Sequence, residues 1–516
     1  VNRLLRSHTR VLGQALLSCC TALAFLATAQ AGEFQVAPAQ VAFDRNFEQA
    51  QLIVTAADAS GAVGERSEDL TGRASFVSSN PAVVSVSASG RLLAVGDGEA
   101  TVTVAVDGDA KPVTVKVAGV AAVPQISFSE QVEPIVSKAG CNAGACHASQ
   151  HGKGGFVLSV FGFDPGKDHE YMVRDQLQRR VNFARPGESL LLKKPTLVVP
   201  HGGGRRLEPG SVDHQILAAW IAAGAPGPKP DAAKVQKIDV APARRVGDQG
   251  LKQQLRVTAT YSDGRARDIT AWAKFDSMDD SAVAITSDGM ATAVGRGQAP
   301  VMVRFEGQAA ISMVVVPFAT TVDLADWKDN NFVDQLAAAK FRELGIAPSP
   351  LCDDATFLRR AFLDAVGATP TVDEAAAFLD SADPDKRRKL IDRLLGFTGD
   401  PAQDVYNDKY AAYWTLKWSD LVRNASASAQ EAGMWAMHNW MRESFRANKP
   451  FDAMVRELVA AKGSTFSVGP ANFFRGLISC DFAMCSPRWR VGLLSQNRAR
   501  LFSPYVSLEG VDHLIE

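Results

Sequence analysis

SSNPAVVSVSASGRLLAVGDGEATVTVAV, residues 78–106, returns in altered form as MDDSAVAITSDGMATAVGRGQAPVMVRF, residues 278–305. Ser89-Gly90 in the first copy matches Asp288-Gly289 in the second, and Gly96-Asp97-Gly98 matches Gly295-Arg296-Gly297. Around these glycines the apolar residues alternate, as at Val84 and Val86 or Val102 and Val104, which is the period of a strand that buries one side. The glycines fall where hairpin turns need a backbone with positive φ. An internal repeat of this kind predicts two separate all-β sandwiches, over residues 36–118 and 235–318. Neither copy gathers the polar residues a catalytic site would need.

Both copies resemble the group 2 bacterial Ig-like domain, which ends in this same pattern of spaced valines and glycines. The resemblance implies modules that act as spacers or adhesive surfaces, with a cell-surface polysaccharide or protein as partner.

Residues 125–228, between the copies, contain GCNAGACHASQHGKGGF, residues 140–156. Two thiols followed at once by an imidazole suit covalent haem c attachment: Cys141 and Cys146 would add to the porphyrin vinyl groups and His147 would be the proximal iron ligand. Four residues separate the cysteines where two are usual, so the extra pair must loop out, and Gly144 is expected to supply a positive φ there. A short-loop disulfide between Cys141 and Cys146 fits the same residues. Zinc fits less well, since no second Cys or His pair follows at structural-zinc spacing. Ser127 and Glu130 read as a capping box, Pro134 must start or kink the helix that follows, and Val212, Ile216, Leu217, Trp220 and Ile221 share a face of a closing helix.

With its PGESLLLKK stretch and its final LAAWIAAGA helix, this segment resembles the planctomycete-type cytochrome c domain in the variant that accompanies group 2 Ig-like modules. The resemblance implies an α-helical class I cytochrome c-like fold with one covalent haem c. The related domain presents a Met-Pro-Pro loop before the last helix; here that place reads Val199-Pro200-His201, leaving His201 as the expected distal iron ligand. Met172 is an alternative sixth ligand, an open site is another, and His151, His169 and His214 are further candidates.

From Asp326 the period turns helical. Thr371 and Glu374 form a capping box, Asp383-Pro384 opens a helix, and Phe332, Leu336 and Leu344 are expected on one face of an earlier one. FLRRAFLDAVGATPTVDEAAAFL and NKPFDAMVRELVAAKG resemble the helical domain of unknown function that accompanies such cytochromes, over residues 329–475. Residues 476–516 lack a histidine after Cys480 and Cys485, and read as an atypical tail. His438 reads as structural.

The first 31 residues have the basic, apolar and small-residue regions of an export signal, with a lipid-anchor reading at Cys19 as the competitor. Lys and Arg total 55 against 56 Asp and Glu, a net charge of -1, so nothing in the charge argues for nucleic acid. No GxSxG, HExxH or phosphate loop points to a hydrolase. The expected architecture is multidomain: two Ig-like sandwiches flanking a helical cytochrome-like domain, then an all-α domain. The expected function is exported haem c electron transfer, in the periplasm or cell envelope, with an unidentified redox partner protein. The alternative is a surface adhesion or carbohydrate-binding protein in which Cys141 and Cys146 form a disulfide.

Overall fold

The computed structural model describes residues 33–478; the expected export signal with Cys19, and the expected atypical tail with Cys480 and Cys485, lie outside the described residues. The chain is multidomain, β-sandwiches followed by a helical region, and it divides into two units, residues 1–348 and 349–516.

The first sandwich is built from β1 (Phe34–Ala37), β2 (Gln40–Phe43), β3 (Gln49–Gln51), β4 (Ile53–Ala56), β5 (Ser75–Ser78), β6 (Val84–Val86), β7 (Arg91–Ala94), β8 (Gly98–Val106) and β9 (Asp109–Val117). One sheet runs β2-β9-β8-β5, with β2 parallel to β9; facing it are β3-β7-β6 and the β1-β4 pair. Val102, Val104 and Val106 alternate inward along β8, with Val113, Val115 and Val117 beside them on β9, all buried.

The second sandwich repeats this order with β10 (Val235–Ala241), β11 (Arg244–Val246), β12 (Lys252–Gln254), β13 (Arg256–Tyr261), β14 (Ala266–Asp268), β15 (Lys274–Ser277), β16 (Val283–Ile285), β17 (Met290–Ala293), β18 (Gly297–Phe305) and β19 (Gln308–Val316). Its sheets are β11-β19-β18-β15, β12-β17-β16 and β10-β13-β14. The equivalence reaches single bonds. Leu52 N–H donates to Gly90 O at 2.9 Å and Leu255 N–H to Gly289 O at 2.8 Å, while Thr71 and Thr270 hydroxyls accept from Val54 and Val257 N–H at 2.9 and 2.8 Å. Gly90 (φ +77°) and Gly289 (φ +85°) are required twice over: a Cβ would also lie 2.8 Å from the Phe76 ring in one copy and 2.9 Å from Phe275 in the other.

Between the sandwiches lie four short helices, α1 (Glu133–Lys138), α2 (Pro165–Val173), α3 (Leu190–Lys193) and α4 (Val212–Ala222). A wide helical turn, with Val132 N–H bonded to Ser127 O at 3.3 Å, leads into α1, and Pro134 sits in the first turn of α1, where its missing N–H costs nothing. Ser127 accepts from Glu130 N–H at 3.2 Å as expected of a cap. The reciprocal bond comes from Gln131, whose Oε1 accepts from Ser127 N–H at 3.0 Å, which corrects the expected partner Glu130. The Glu130 carboxylate is held instead by Arg45 of the first sandwich at 2.5 Å and Arg267 of the second at 2.9 Å. On α4, Ile216, Leu217, Trp220 and Ile221 are buried, and Trp220 Nε1 donates to Pro226 O at 2.9 Å.

The helical segment and the second sandwich share one continuous apolar core. Trp272 Nε1 donates to Asp213 on α4 at 3.1 Å, and Lys138 donates to Ala271 O. A further helix, α5 (Phe332–Leu344), ends this unit. Phe332 and Leu336, expected on its packed side, are 70% and 65% exposed, and Ala338 is the residue it buries.

The second unit contains α6 (Asp354–Val366), α7 (Val372–Leu379), α8 (Lys386–Leu395), α9 (Asn407–Leu421), α10 (Ser426–Arg446), α11 (Phe451–Ala460) and α12 (Phe473–Ile478). The capping box of α7 forms, with Thr371 N–H donating to Glu374 at 2.7 Å and Glu374 N–H to the Thr371 hydroxyl at 3.3 Å. Leu358, Phe362, Leu394 and Tyr406 make one small core, and Met437, Met441, Met454 and Leu458 a second. His438 is stacked edge-on against Trp435, with centroids 5.3 Å apart. No helix among the described residues is long and apolar enough to cross a membrane.

Candidate functional site: a thiol and imidazole pocket

The chain leaves α1 through Gly140, whose φ of +74° turns it sharply. Gly144, expected to take that role, does not have a positive φ; the break in the chain falls before the first cysteine. Cys141 N–H donates to Val136 O at 3.1 Å and Cys146 N–H to Ala143 O at 2.9 Å. The four-residue insertion closes where His147 N–H reaches Cys141 O at 3.0 Å. Both cysteines are free, so the disulfide of the alternative reading is not formed. Asn142, inside the loop and buried, donates to Ser137 Oγ at 2.6 Å and, at 3.4 Å, to Glu133 Oε1.

Cys141, Cys146, His147 and His201 all line one cavity of about 370 Å³. Its wall is largely apolar, including Ile135, Val136, Phe156, Leu158, Met172 and Leu217. The two imidazoles face each other with centroids 6.4 Å apart and planes within 14° of parallel. His147 Nδ1 lies 3.1 Å from Phe156 O, and His201 Nδ1 lies 2.8 Å from Gly204 O. A carbonyl can only accept, so both Nδ1 atoms carry a proton, and Nε2 is the nitrogen that either ring could offer to a ligand when neutral. Carbonyl-anchored imidazoles with Nε2 available are the usual form of metal-binding histidines.

His201 is held by its own loop. Its ring lies over Gly203, where a Cβ would come within 2.9 Å of His201 Cε1. His147 is held from behind: Phe156 packs on it with centroids 4.6 Å apart, and the Arg180 guanidinium lies 4.5 Å from the Phe156 ring centroid. Arg180 is buried and fully engaged, donating to Tyr171 O at 2.8 Å, Asp175 Oδ2 at 3.0 Å and Gly155 O at 3.1 Å.

Burial, reinforced by the neighbouring Cys146, pushes the Cys141 thiol up to about 11, so it is protonated at neutral pH. Burial likewise lowers His147, and His201 adds to that, favouring the neutral imidazole. Behind the loop, burial raises the Glu133 carboxyl well above its usual range, and the adjacent Asp168 raises it further. Asp168 is fixed by Ser159, whose N–H donates at 2.5 Å and whose hydroxyl donates at 2.5 Å. Among the described residues the charged side chains of the cavity wall are Lys153, Arg179, Arg180 and Lys194, with no carboxylate.

Met172 also lines the cavity and is 1% exposed. The remaining histidines are elsewhere. His169 Nε2 donates to Ala225 O at 2.8 Å and packs against Phe128 and Trp220, as a core histidine does. His151 is exposed, and His214 is in the first turn of α4, its N–H bonded to Ser211 at 3.2 Å; neither lines the cavity. Among the described residues no group of three or more His, Cys, Asp and Glu is placed to hold a metal ion, so the zinc reading has no third protein ligand. Sequence reasoning missed Phe156, Arg180, Asn142 and the Glu133–Asp168 pair. Their roles depend on contacts between segments, and no motif marks them.

Among known families, residues 332–481 match the one described as PSCyt2, a protein of unknown function (DUF1549). No curated protein matches the chain. The solved structures it is similar to include domains 5-6 of the S-layer protein SbsC, at 14% identity and a TM-score of 0.22, covering 55% of this chain and 97% of that one. Domains 4 and 5 of the same S-layer protein align at 13% identity and a TM-score of 0.15, covering 52% of this chain and 80% of that one. These scores are too low to carry a fold or a function. The resemblance of the whole chain to a planctomycete-type cytochrome c multidomain protein is corrected by these findings. The family found is that of the helical segment alone, residues 332–481, and it does not extend over residues 125–228.

Proposed function

We propose that the pocket of residues 124–228 binds one haem c, and that the protein is an exported electron carrier. The observation that carries this reading is the pairing of His147 with His201 across an apolar cavity that also contains two free thiols. The two imidazole centroids are 6.4 Å apart, so both side chains could reach one ligand held in the cavity. When bound, the haem would supply one-electron redox chemistry.

The chain's own residues have separate tasks. Cys141 and Cys146 would each add an S–H across a vinyl double bond, forming one S–C and one C–H bond with no change in electron count. His147 and His201 would be the residues that hold the iron. The apolar wall excludes water and holds the site at low dielectric. The deciding experiment is expression with a cytochrome c maturation system, followed by haem staining on a denaturing gel. Wild type should stain and Cys146→Ser should stain weakly. A colourless protein whose Cys141 and Cys146 are joined as a disulfide would refute the reading.

A second reading, a cell-envelope or surface role, is favoured by the two sandwiches, which repeat one strand order and are bonded to each other. It assigns them to spacing the pocket from the envelope or to binding surface polysaccharide. Pull-down of the full chain by purified envelope polysaccharide tests it, with retention lost when the sandwiches are saturated by soluble glycan.

A further inference from the structure

We propose that Lys153, Arg179 and Lys194 form a carboxylate grip at the pocket, so that its ligand is an apolar body bearing carboxylates on its edge. For the haem reading, on which this rests, those groups are the propionates.

Every charged side chain on the cavity wall is a cation, in a chain whose net charge is -1. Arg180 is already engaged by Asp175 and two carbonyls. Lys153, Arg179 and Lys194 are exposed and have no ion-pair partner among the described residues. Other cations of the same segment are paired, Lys193 with Glu188, Arg205 with Glu208 at 3.3 Å and Lys167 with Asp164 at 3.7 Å, while Arg206 Nε bonds Gly203 O at 2.8 Å.

The three come from different segments. Lys153 follows His147 on the cysteine loop, Arg179 follows α2, and Lys194 closes α3. Three cations converging on an apolar cavity repel one another until an anion arrives. Arg179 offers a planar fork that takes a carboxylate in two parallel bonds, and each lysine offers a point charge. A neutral apolar ligand would leave all three unanswered.

The test uses the full chain with Cys141→Ser and Cys146→Ser, so that binding is reversible, and compares haemin with haemin dimethyl ester by absorbance titration. The free acid should bind at least about ten-fold more tightly than the ester, each ten-fold being about 1.4 kcal/mol. That advantage should fall as salt is raised, and should disappear when Arg179→Gln and Lys194→Gln are added. Equal affinity for acid and ester, insensitive to salt, would overturn the grip while leaving the haem reading intact. If neither compound binds and the unmodified chain also fails to stain, the haem reading fails and the grip fails with it. The salt series needs no rim variant, so a misfolded rim variant does not blunt the result.

Discussion

Asp69 and Asp268 hold equivalent positions in the two sandwiches, and each bonds across to the other copy. Asp268 Oδ2 accepts from Gln51 N–H at 3.0 Å, while Asp69 Oδ2 accepts from the N–H of Gln254, the counterpart of Gln51. Gln253 Nε2 adds a bond to Asp69 at 3.2 Å. The repeats therefore meet as a near-symmetric pair, with the same acid in the same role on both sides. Arg91 and Asp288 extend the contact at 3.2 Å.

Replacing both acids, Asp69→Ala with Asp268→Ala, leaves two buried backbone N–H groups without acceptors. Each should cost about 1–3 kcal/mol. Chemical denaturation is expected to show a lower midpoint, and small-angle scattering a larger radius of gyration. An unchanged radius in the double variant would show that other contacts suffice to hold the pair.

Glu306, at the β18–β19 hairpin, has a buried Oε1 with no hydrogen-bond partner. Burial, with the nearby Glu130 adding, raises its carboxyl to about 8. The folded protein thus keeps the proton after the unfolded chain has released it. Its contribution is fully present below the unfolded value near 4.5 and is lost as pH rises toward about 8. Glu306→Gln should remove this slope and stabilise the protein at pH 8 by roughly 2–5 kcal/mol, one unit being worth about 1.4 kcal/mol. Thermal melts of the two proteins at intervals across that range decide the matter; parallel curves would contradict the assignment.

Arg180 packs on Phe156, whose carbonyl accepts from the His147 imidazole, and its charge also disfavours protonation of His147. Arg180→Ala removes the packing and three bonds to Tyr171, Asp175 and Gly155 at once. A loss of roughly 2–4 kcal/mol is expected, with Arg180→Lys recovering part of it because it restores charge without the planar fork. In the haem-loaded protein a broadened low-temperature EPR signal would mark a loosened His147, a readout that a general loss of stability leaves unmoved.

Gly203→Ala places a Cβ against His201 Cε1 and should displace the ring. The oxidised spectrum of that variant is expected to resemble His201→Ala more than wild type. If His201→Ala leaves the wild-type spectrum unchanged, or if wild type shows a sulfur-to-iron charge-transfer band, His201 is ruled out, and only the sulfur-to-iron band points to Met172 rather than to an open site.

The β-repeat was open to reading because strand alternation and turn glycines are local properties, written within about ten residues of one another. Phe76 over Gly90 and Phe275 over Gly289 are extensions of that local pattern. Cys141, Cys146 and His147 are adjacent in sequence, so their common pocket was also foreseeable. What could not be read was the support. Arg180 meets Phe156 across a separation of 24, and Glu130 meets Arg267 across one of 137, by contacts that no periodicity encodes. Phe332 and Leu336 show the reverse error: helical spacing places them on one face, yet the unit that contains them leaves both exposed.

The core shared by the helical segment and the second sandwich bears on how the protein can be divided. Residues 125–228 alone would expose Ile126, Ile216 and Ile221 wherever they now pack against strands, and would leave Asp213 without Trp272. A fragment cut at the pocket's own borders would carry a sticky, half-open surface. The smallest autonomous piece able to hold the pocket is therefore expected to include the second sandwich, and the modularity suggested by the repeat ends there.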